Sequence, residues 1–251
     1  MQRYFVKSEQ INPPFIFINN EDAFHIGTVM RMKLDDKVYV CDEVNTYIAK
    51  IVEISKTQVK LEIIEIYFES KELPVEVTIA QGLVRREKME EVIDYITELG
   101  ASKYLPVNME RSIIKINAEQ FSKKKERLNH IAKEASEQSH RSKKLIVEEL
   151  ISFNSLLELR NSYDLCLYAY EASSSDDSFK KILREQKAKK ILVLVGPEGG
   201  ISDKEVELLK NNNFLPISLG PRILRTQVAP LYVMAAISYE LEAKEWLHLA
   251  L

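Results

Sequence analysis

Across 38–68 apolar and polar residues alternate in short runs, VYVCD, TYIAKIVEIS and QVKLEIIEIYF, rich in β-branched and aromatic side chains. Alternation with a period of two predicts strands that turn one face to a core and one to water. The polar turns Asp-Glu-Val-Asn and Ser-Lys-Thr-Gln divide the runs, so this segment reads as a small β-barrel or sandwich. After the break at Glu69-Ser-Lys-Glu-Leu-Pro the pattern changes. VEVTIAQGL predicts a strand, and over 88–99 the positions Met89, Val92, Ile93, Ile96 and Leu99 share one face of a helix that Gly100 closes. Strand patterns in KYLPVN, LIVEEL, DLCLYAYE, KKILVLVGP and PISLG then alternate with helical patterns over 118–139, SLLELR, 178–186, KEVELLK and 227–246. Such alternation predicts a mostly parallel sheet covered on both faces, and KILVLV, apolar almost throughout, suits its centre. Two domains are expected, 1–72 and 73–251.

Composition narrows the possibilities. With 251 residues, 45% hydrophobic and 29% charged, the chain can bury a core and is neither disordered nor fibrous. The 35 Lys+Arg stand against 38 Asp+Glu for a net charge of −3, which excludes a charge-driven, histone-like binder. A polyanion would have to be met by a local patch. Residues 111–147 carry ten Lys/Arg against four Glu, a local +6 that leaves −9 elsewhere, so they are either phosphate-facing or the solvated side of a long helix. Cys41 and Cys166, both among apolar neighbours, read as reduced thiols within strands of a cytosolic protein. The N-terminus has no apolar signal core, and no run approaches the ~18–20 apolar residues of a membrane span, so a cytoplasmic protein without membrane contact is expected. His25 and Trp246 read as packing residues, and no cluster has metal-ligand spacing, so no metal is expected.

Four of the seven glycines, Gly196, Gly199, Gly200 and Gly220, fall within 196–220. They follow strand patterns, ILVLV into GPEGG and PISL into GPRILRT. In open α/β sheets ligands bind outside the carboxyl ends of strands, where glycine admits a ligand close to the backbone. The spacing is equally compatible with tight turns that hold nothing. GPEGG matches neither the dinucleotide fingerprint nor the P-loop, and Glu198 would repel a triphosphate while suiting a cationic ligand.

LVGPEGGISDKEVELL (194–209) and LGPRILRTQVAPLYVMAAISYEL (219–241) resemble the C-terminal signature of the ribosomal RNA small-subunit methyltransferase E family, of the SPOUT class. MQRYFV, HIGTVMRMK, KMEEVIDYITELGA, ERSIIK and KEASEQSHRS carry the resemblance along the rest of the chain. It implies an α/β trefoil-knot methyltransferase domain preceded by a small PUA-like β-barrel. It further implies S-adenosyl-L-methionine as cofactor, S-adenosyl-L-homocysteine as product, N3 of a uridine in 16S rRNA of the small ribosomal subunit as target, and a homodimer. Carried over by position, the cofactor residues are Leu194, Val195, Gly196, Pro197, Glu198, Gly199, Gly200, Leu219, Gly220, Ile223, Leu224, Arg225, Thr226 and Ala229, with Tyr170 and Glu171 beside them. RNA contact is expected from Arg3, Arg31 and Lys33 in the barrel and from Arg85, Arg86, Lys88, Arg111 and Arg141.

The implied reaction makes demands on these residues. Uracil N3 carries a proton at neutral pH, so the site must stabilise the anionic base or supply a general base. Arg225 can stabilise charge on a carbonyl oxygen, or else pair with Glu198 or Glu171 to hold the loops; Glu171 is the candidate base. N3 lies on the Watson–Crick edge, so the nucleotide must be unpaired or flipped. The chain departs from the family pattern at Gln227 and Val228, where an acid and a hydroxyl are usual, and at Tyr95 and Lys144. Two alternatives therefore stand beside N3 methylation: a SPOUT ribose 2′-O-methyltransferase, and an RNA- or ribosome-binding module with a weakened site.

Overall fold

The computed structural model describes residues 1–67, 70–171, 179–185 and 187–249. The polar loop at 173–178 and the side chains of Trp246, Leu247 and Leu249 lie outside the described ones. The chain forms two compact units, one of Met1–Glu72 with Ser136–Lys144, the other of Leu73–Ala135 with Leu145–Leu251. The short segment 136–144 thus joins the N-terminal unit.

That unit is built on β1 (Arg3–Phe5), β2 (Ile11–Asn12), β3 (Phe15–Asn19), β4 (Lys37–Cys41), β5 (Thr46–Ile54) and β6 (Gln58–Tyr67). They form one sheet in the order β1-β4-β5-β6-β3-β2, with β1 parallel to β4 and the other pairs antiparallel. Alternation places Tyr47, Ala49 and Ile51 of β5 and Val59 and Leu61 of β6 in its core. Register shifts between Ile48 and Ala49 and between Ile51 and Glu53 bend the central pair, as bulges do, and curl the sheet into a half-barrel. Among the described residues the edge strands β1 and β2 do not pair, so the expected barrel is open. After β3, α1 (Asn20–Phe24) runs into a π-helical turn at His25–Val29 that seats Ile26 in the core. There His25 Nδ1 lies 3.0 Å from the Tyr4 hydroxyl, the packing role expected of it.

The second unit holds β7 (Glu76–Gly82), α2 (Arg86–Glu98), β8 (Lys103–Asn108), α3 (Ala118–Gln138, its last turn in the first unit), β9 (Ile146–Val147), β10 (Ile151–Ser152), α4 (Phe153–Glu158), β11 (Leu165–Ala169), α5 (Phe179–Glu185), β12 (Lys190–Val195), α6 (Asp203–Asn211), β13 (Leu215–Ile217) and α7 (Val228–Leu249). The strand order is β10-β8-β7-β12-β11-β13, with β9 against β8, and every pair is parallel. LIVEEL, one strand by its pattern, is two short pieces. In β12, Ile191 and Val193 pack under Val92, Ile93 and Ile96 of α2 and Val233 and Ile237 of α7, while Leu192 and Leu194 pack with Leu156 of α4 and Val206 and Leu209 of α6. A strand buried on both faces needs apolar residues at both parities, which is why KILVLV does not alternate.

Candidate active site

The loops that leave β12 and β13, with residues 169–171 at the end of β11, surround a cavity of about 700 Å³. That is the size of a small-molecule site, and it lies at the carboxyl edge of the parallel sheet. Of the fourteen cofactor residues expected from the sequence, thirteen line it; Leu194 does not, being fully buried in the core between β12 and α6. Glu171 and Arg225 line it as well.

Close approach explains two glycines. A Cβ on Gly199 would stand 2.7 Å from the carbonyl oxygen of Arg111, so this glycine is needed where the loop after β12 crosses the loop after β8. A Cβ on Gly82 would stand 2.4 Å from Cδ of Pro197. The loops are further tied at the start of α6, where Ser202 accepts from the Glu205 amide and Glu205 accepts from the Ser202 amide in a capping box. Glu205 also accepts from the Glu110 amide at 2.8 Å, and the Ser202 hydroxyl donates to Glu110 Oε2 at 2.8 Å. The loop after β13 is held by Thr226, whose hydroxyl donates to the Gly196 carbonyl at 2.8 Å.

Charge around the cavity is mixed. Lys88, Arg111, Arg222 and Arg225 face Glu171, Glu198 and Asp203, four cations against three carboxylates. Lys88 Nζ binds Glu198 Oε1 at 3.1 Å, while Glu198 Oε2 is buried and has no partner among the described residues. Arg111 donates to the Ile201 carbonyl at 3.2 Å and lies 3.9 Å from Asp203. Among the described residues Arg225 forms no ion pair, so the alternative in which it pairs with Glu198 or Glu171 is not what the structure holds. Burial pushes the Cys166 thiol up to about 11 and raises the Cys41 thiol too, so neither is a thiolate nucleophile at neutral pH.

The cavity's lining suits the expected cofactor: backbone-exposing glycines lie on two sides, and the unpartnered carboxylate oxygen of Glu198 can accept from an ammonium or hydroxyl group.

The cations expected to contact RNA sit in different surroundings. Arg3 and Arg141 are 3% and 2% exposed. Arg3 stacks over the Tyr39 ring and donates to the Arg141 carbonyl at 2.6 Å, and Arg141 is bound by Glu72. Both guanidinium groups are thus engaged within the protein. Lys88 is tied to Glu198 and Arg111 to the Ile201 carbonyl, so both belong to the cavity wall, and Arg86 is paired with Glu90 at 3.1 Å. Much of the basic run on α3 is paired as well: Lys123 to Glu119, Lys125 to Glu149 and Arg127 to Glu90. Arg31, Lys33 and Arg85 remain exposed. Sequence reading missed Gly82, Glu110, Ser202, Glu205 and the fully buried Gln81, which donates to Thr226. Only the Ser202-x-x-Glu205 capping signature was there to be found.

Comparison with known proteins agrees with this geometry. A model described as RNA methyltransferase domain matches residues 71–238, and one described as RNA methyltransferase PUA domain matches 18–64. Ribosomal RNA small subunit methyltransferase E of Bacillus subtilis (strain 168) is 40% identical over 251 residues, 96% of this chain and 98% of that protein. The protein of the same name from Synechocystis is 30% identical, over 96% of this chain and 78% of that one. A methyltransferase of Legionella pneumophila, solved with bound SAM, superposes with a TM-score of 0.84 at 27% identity, over 94% of this chain and 96% of that one. With its parallel α/β sheet and curled N-terminal sheet matched along nearly the whole length, the chain belongs to the ribosomal RNA small subunit methyltransferase E family.

Proposed function

We propose that the protein transfers a methyl group from S-adenosyl-L-methionine to N3 of a uridine in 16S rRNA of the small ribosomal subunit, releasing S-adenosyl-L-homocysteine. The observation that carries this reading is the glycine-walled cavity at the carboxyl ends of β11, β12 and β13, in a chain of this family. When bound, the cofactor supplies an electrophilic methyl group on a sulfonium. The chain's own residues align the reactants and exclude water. The backbones of Val195–Gly200 and Leu219–Thr226 hold the cofactor, and Glu198 Oε2 receives one of its donors. Arg225, exposed at the cavity and unpaired among the described residues, donates to a uracil carbonyl oxygen as N3 loses its proton. Glu171 accepts that proton. A deep trefoil knot threads these loops, the 1–72 and 73–251 parts act as RNA-binding and catalytic domains, and the enzyme works in the cytoplasm as a homodimer. Val228, Tyr232 and Tyr239, at helical spacing on α7 and 40%, 44% and 80% exposed, support a second copy on that face. Among the described residues no helix is long and apolar enough to cross a membrane.

Labelled methyl transfer to small ribosomal subunits lacking the modification tests the proposal, with the product nucleoside identified by mass spectrometry. We expect 3-methyluridine. A 2′-O-methyl nucleoside would move the assignment to the ribose, and subunits that are bound but unmethylated would make the chain a binding module, with Gln227 and Val228 the first residues to revert.

A further inference from the structure

Gln81 is a carboxamide with no exposure at all, one residue before the end of the apolar strand β7. It lies opposite Val195 of β12 on one side and Pro106 of β8 on the other. A buried amide persists in such a place only if its donors and acceptors are met. Nε2 donates to the Thr226 carbonyl at 2.8 Å and approaches the Thr226 hydroxyl at 3.3 Å. Oε1 accepts from the Tyr104 hydroxyl at 2.9 Å. The orientation is fixed by chemistry: the Thr226 carbonyl can only accept, so Nε2 faces it, and Oε1 is left for a donor. Tyr104 can be only that donor, because full burial raises its pKa far above the ordinary tyrosine value and keeps the proton on. The Thr226 hydroxyl donates its own hydrogen bond to the Gly196 carbonyl at 2.8 Å.

The four residues form a one-directional relay, Tyr104 to Gln81 to Thr226 to Gly196. It starts in β8 and ends by joining the loop after β12 to the loop after β13. We propose that Gln81 is a positioning residue for cofactor binding, its carboxamide holding Thr226 against Gly196 and thereby fixing the separation of the two loops between which adenosylmethionine is held. The inference rests on the methyltransferase reading above. Gln81 does not line the cavity and acts only through Thr226. Leucine fills much of the same volume but cannot donate, and valine removes the Thr226 hydroxyl at nearly constant shape.

Calorimetric titration of S-adenosyl-L-homocysteine into wild type, Gln81→Leu, Thr226→Val and the double variant, with steady-state kinetics on small subunits, tests this. Each single substitution is expected to weaken binding about tenfold, because the loop spacing set by the buried hydrogen bonds is lost. The double variant is expected to lose little more than the worse single one, because both cut the same relay. KM for the cofactor is expected to rise with the dissociation constant, while kcat at saturating cofactor falls by less. A merely structural role would lower kcat through the folded fraction and leave KM unmoved. Wild-type affinity in Gln81→Leu, or simple additivity in the double variant, would overturn the relay. Should Gln81→Leu fail to fold, Tyr104→Phe decides, since it removes the donor to Gln81 Oε1 without touching the cavity: a raised cofactor KM supports the relay and a wild-type KM overturns it. Wild type that binds no cofactor product would instead overturn the methyltransferase reading itself.

Discussion

Arg141 sits in a polar, arginine-bearing motif, KEASEQSHRS, and nothing local distinguishes it from a phosphate contact. Its actual environment comes from residues far away in sequence: Glu72 takes its guanidinium and also accepts the amides of Ser142 and Lys143 at 2.9 and 3.0 Å. Arg3, 138 residues upstream, donates to its carbonyl. A guanidinium 2% exposed and bonded to Glu72 is held inside the N-terminal unit. Arg141→Ala leaves Glu72 without its cation and should destabilise that unit by about 3 kcal/mol, the cost of breaking a buried pair from one side. Urea unfolding followed by tyrosine fluorescence would detect this as an earlier transition. Unchanged stability combined with a flatter salt dependence of RNA affinity would return Arg141 to the RNA-binding surface.

At the scale of elements, periodicity identified the helix over 118–139 and the helix over 88–99, but it could not state which charges each would meet. Arg127 of α3 donates from Nε and its second guanidinium nitrogen to Glu90 of α2 at 2.7 and 3.1 Å, and Arg86 of α2 meets the same carboxylate at 3.1 Å. The hydrogen bonds from Arg127, aided by the positive charge of both arginines, hold the Glu90 carboxyl below the usual glutamate range. Because the folded pKa lies below the unfolded one, the stabilisation is complete above the ordinary glutamate value and is lost as pH falls through the lowered one. Glu90→Gln should therefore melt modestly below wild type at neutral pH, and the two melting temperatures should converge in acid. A gap that stays constant into strong acid would show that the pair stabilises through packing of the side chains rather than through charge.

For the whole molecule, the parallel sheet and its ligand edge were legible because two physical signals reach across the chain: a strand buried on both faces must be apolar throughout, and loops that approach each other or a ligand closely must lose their side chains. KILVLV carried the first and the glycines after it the second. The strands β1 to β3, of 3, 2 and 5 residues, went unread. Gln81 went unread because a polar residue in a strand has no local mark of the partner 145 positions away that satisfies it. Charge was the least legible property. Of the ten cations of 111–147, Lys123, Lys125 and Arg127 are paired, Arg111 lies on a carbonyl and Arg141 is buried. A cation already matched by a carboxylate has less to offer a phosphate than an exposed one that forms no ion pair among the described residues, such as Arg85 at the start of α2. Each phosphate neutralised on a single strand contributes about 0.7 to the slope of log affinity against log salt. Arg85→Ala should reduce that slope by about this amount and leave affinity for the cofactor product unchanged, whereas Arg127→Ala, removing a cation already matched by Glu90, should leave the slope where it was. Filter binding to small-subunit RNA across a salt series measures both, and a larger fall in slope for Arg127→Ala than for Arg85→Ala would show that the α3 run opens its ion pairs to bind RNA.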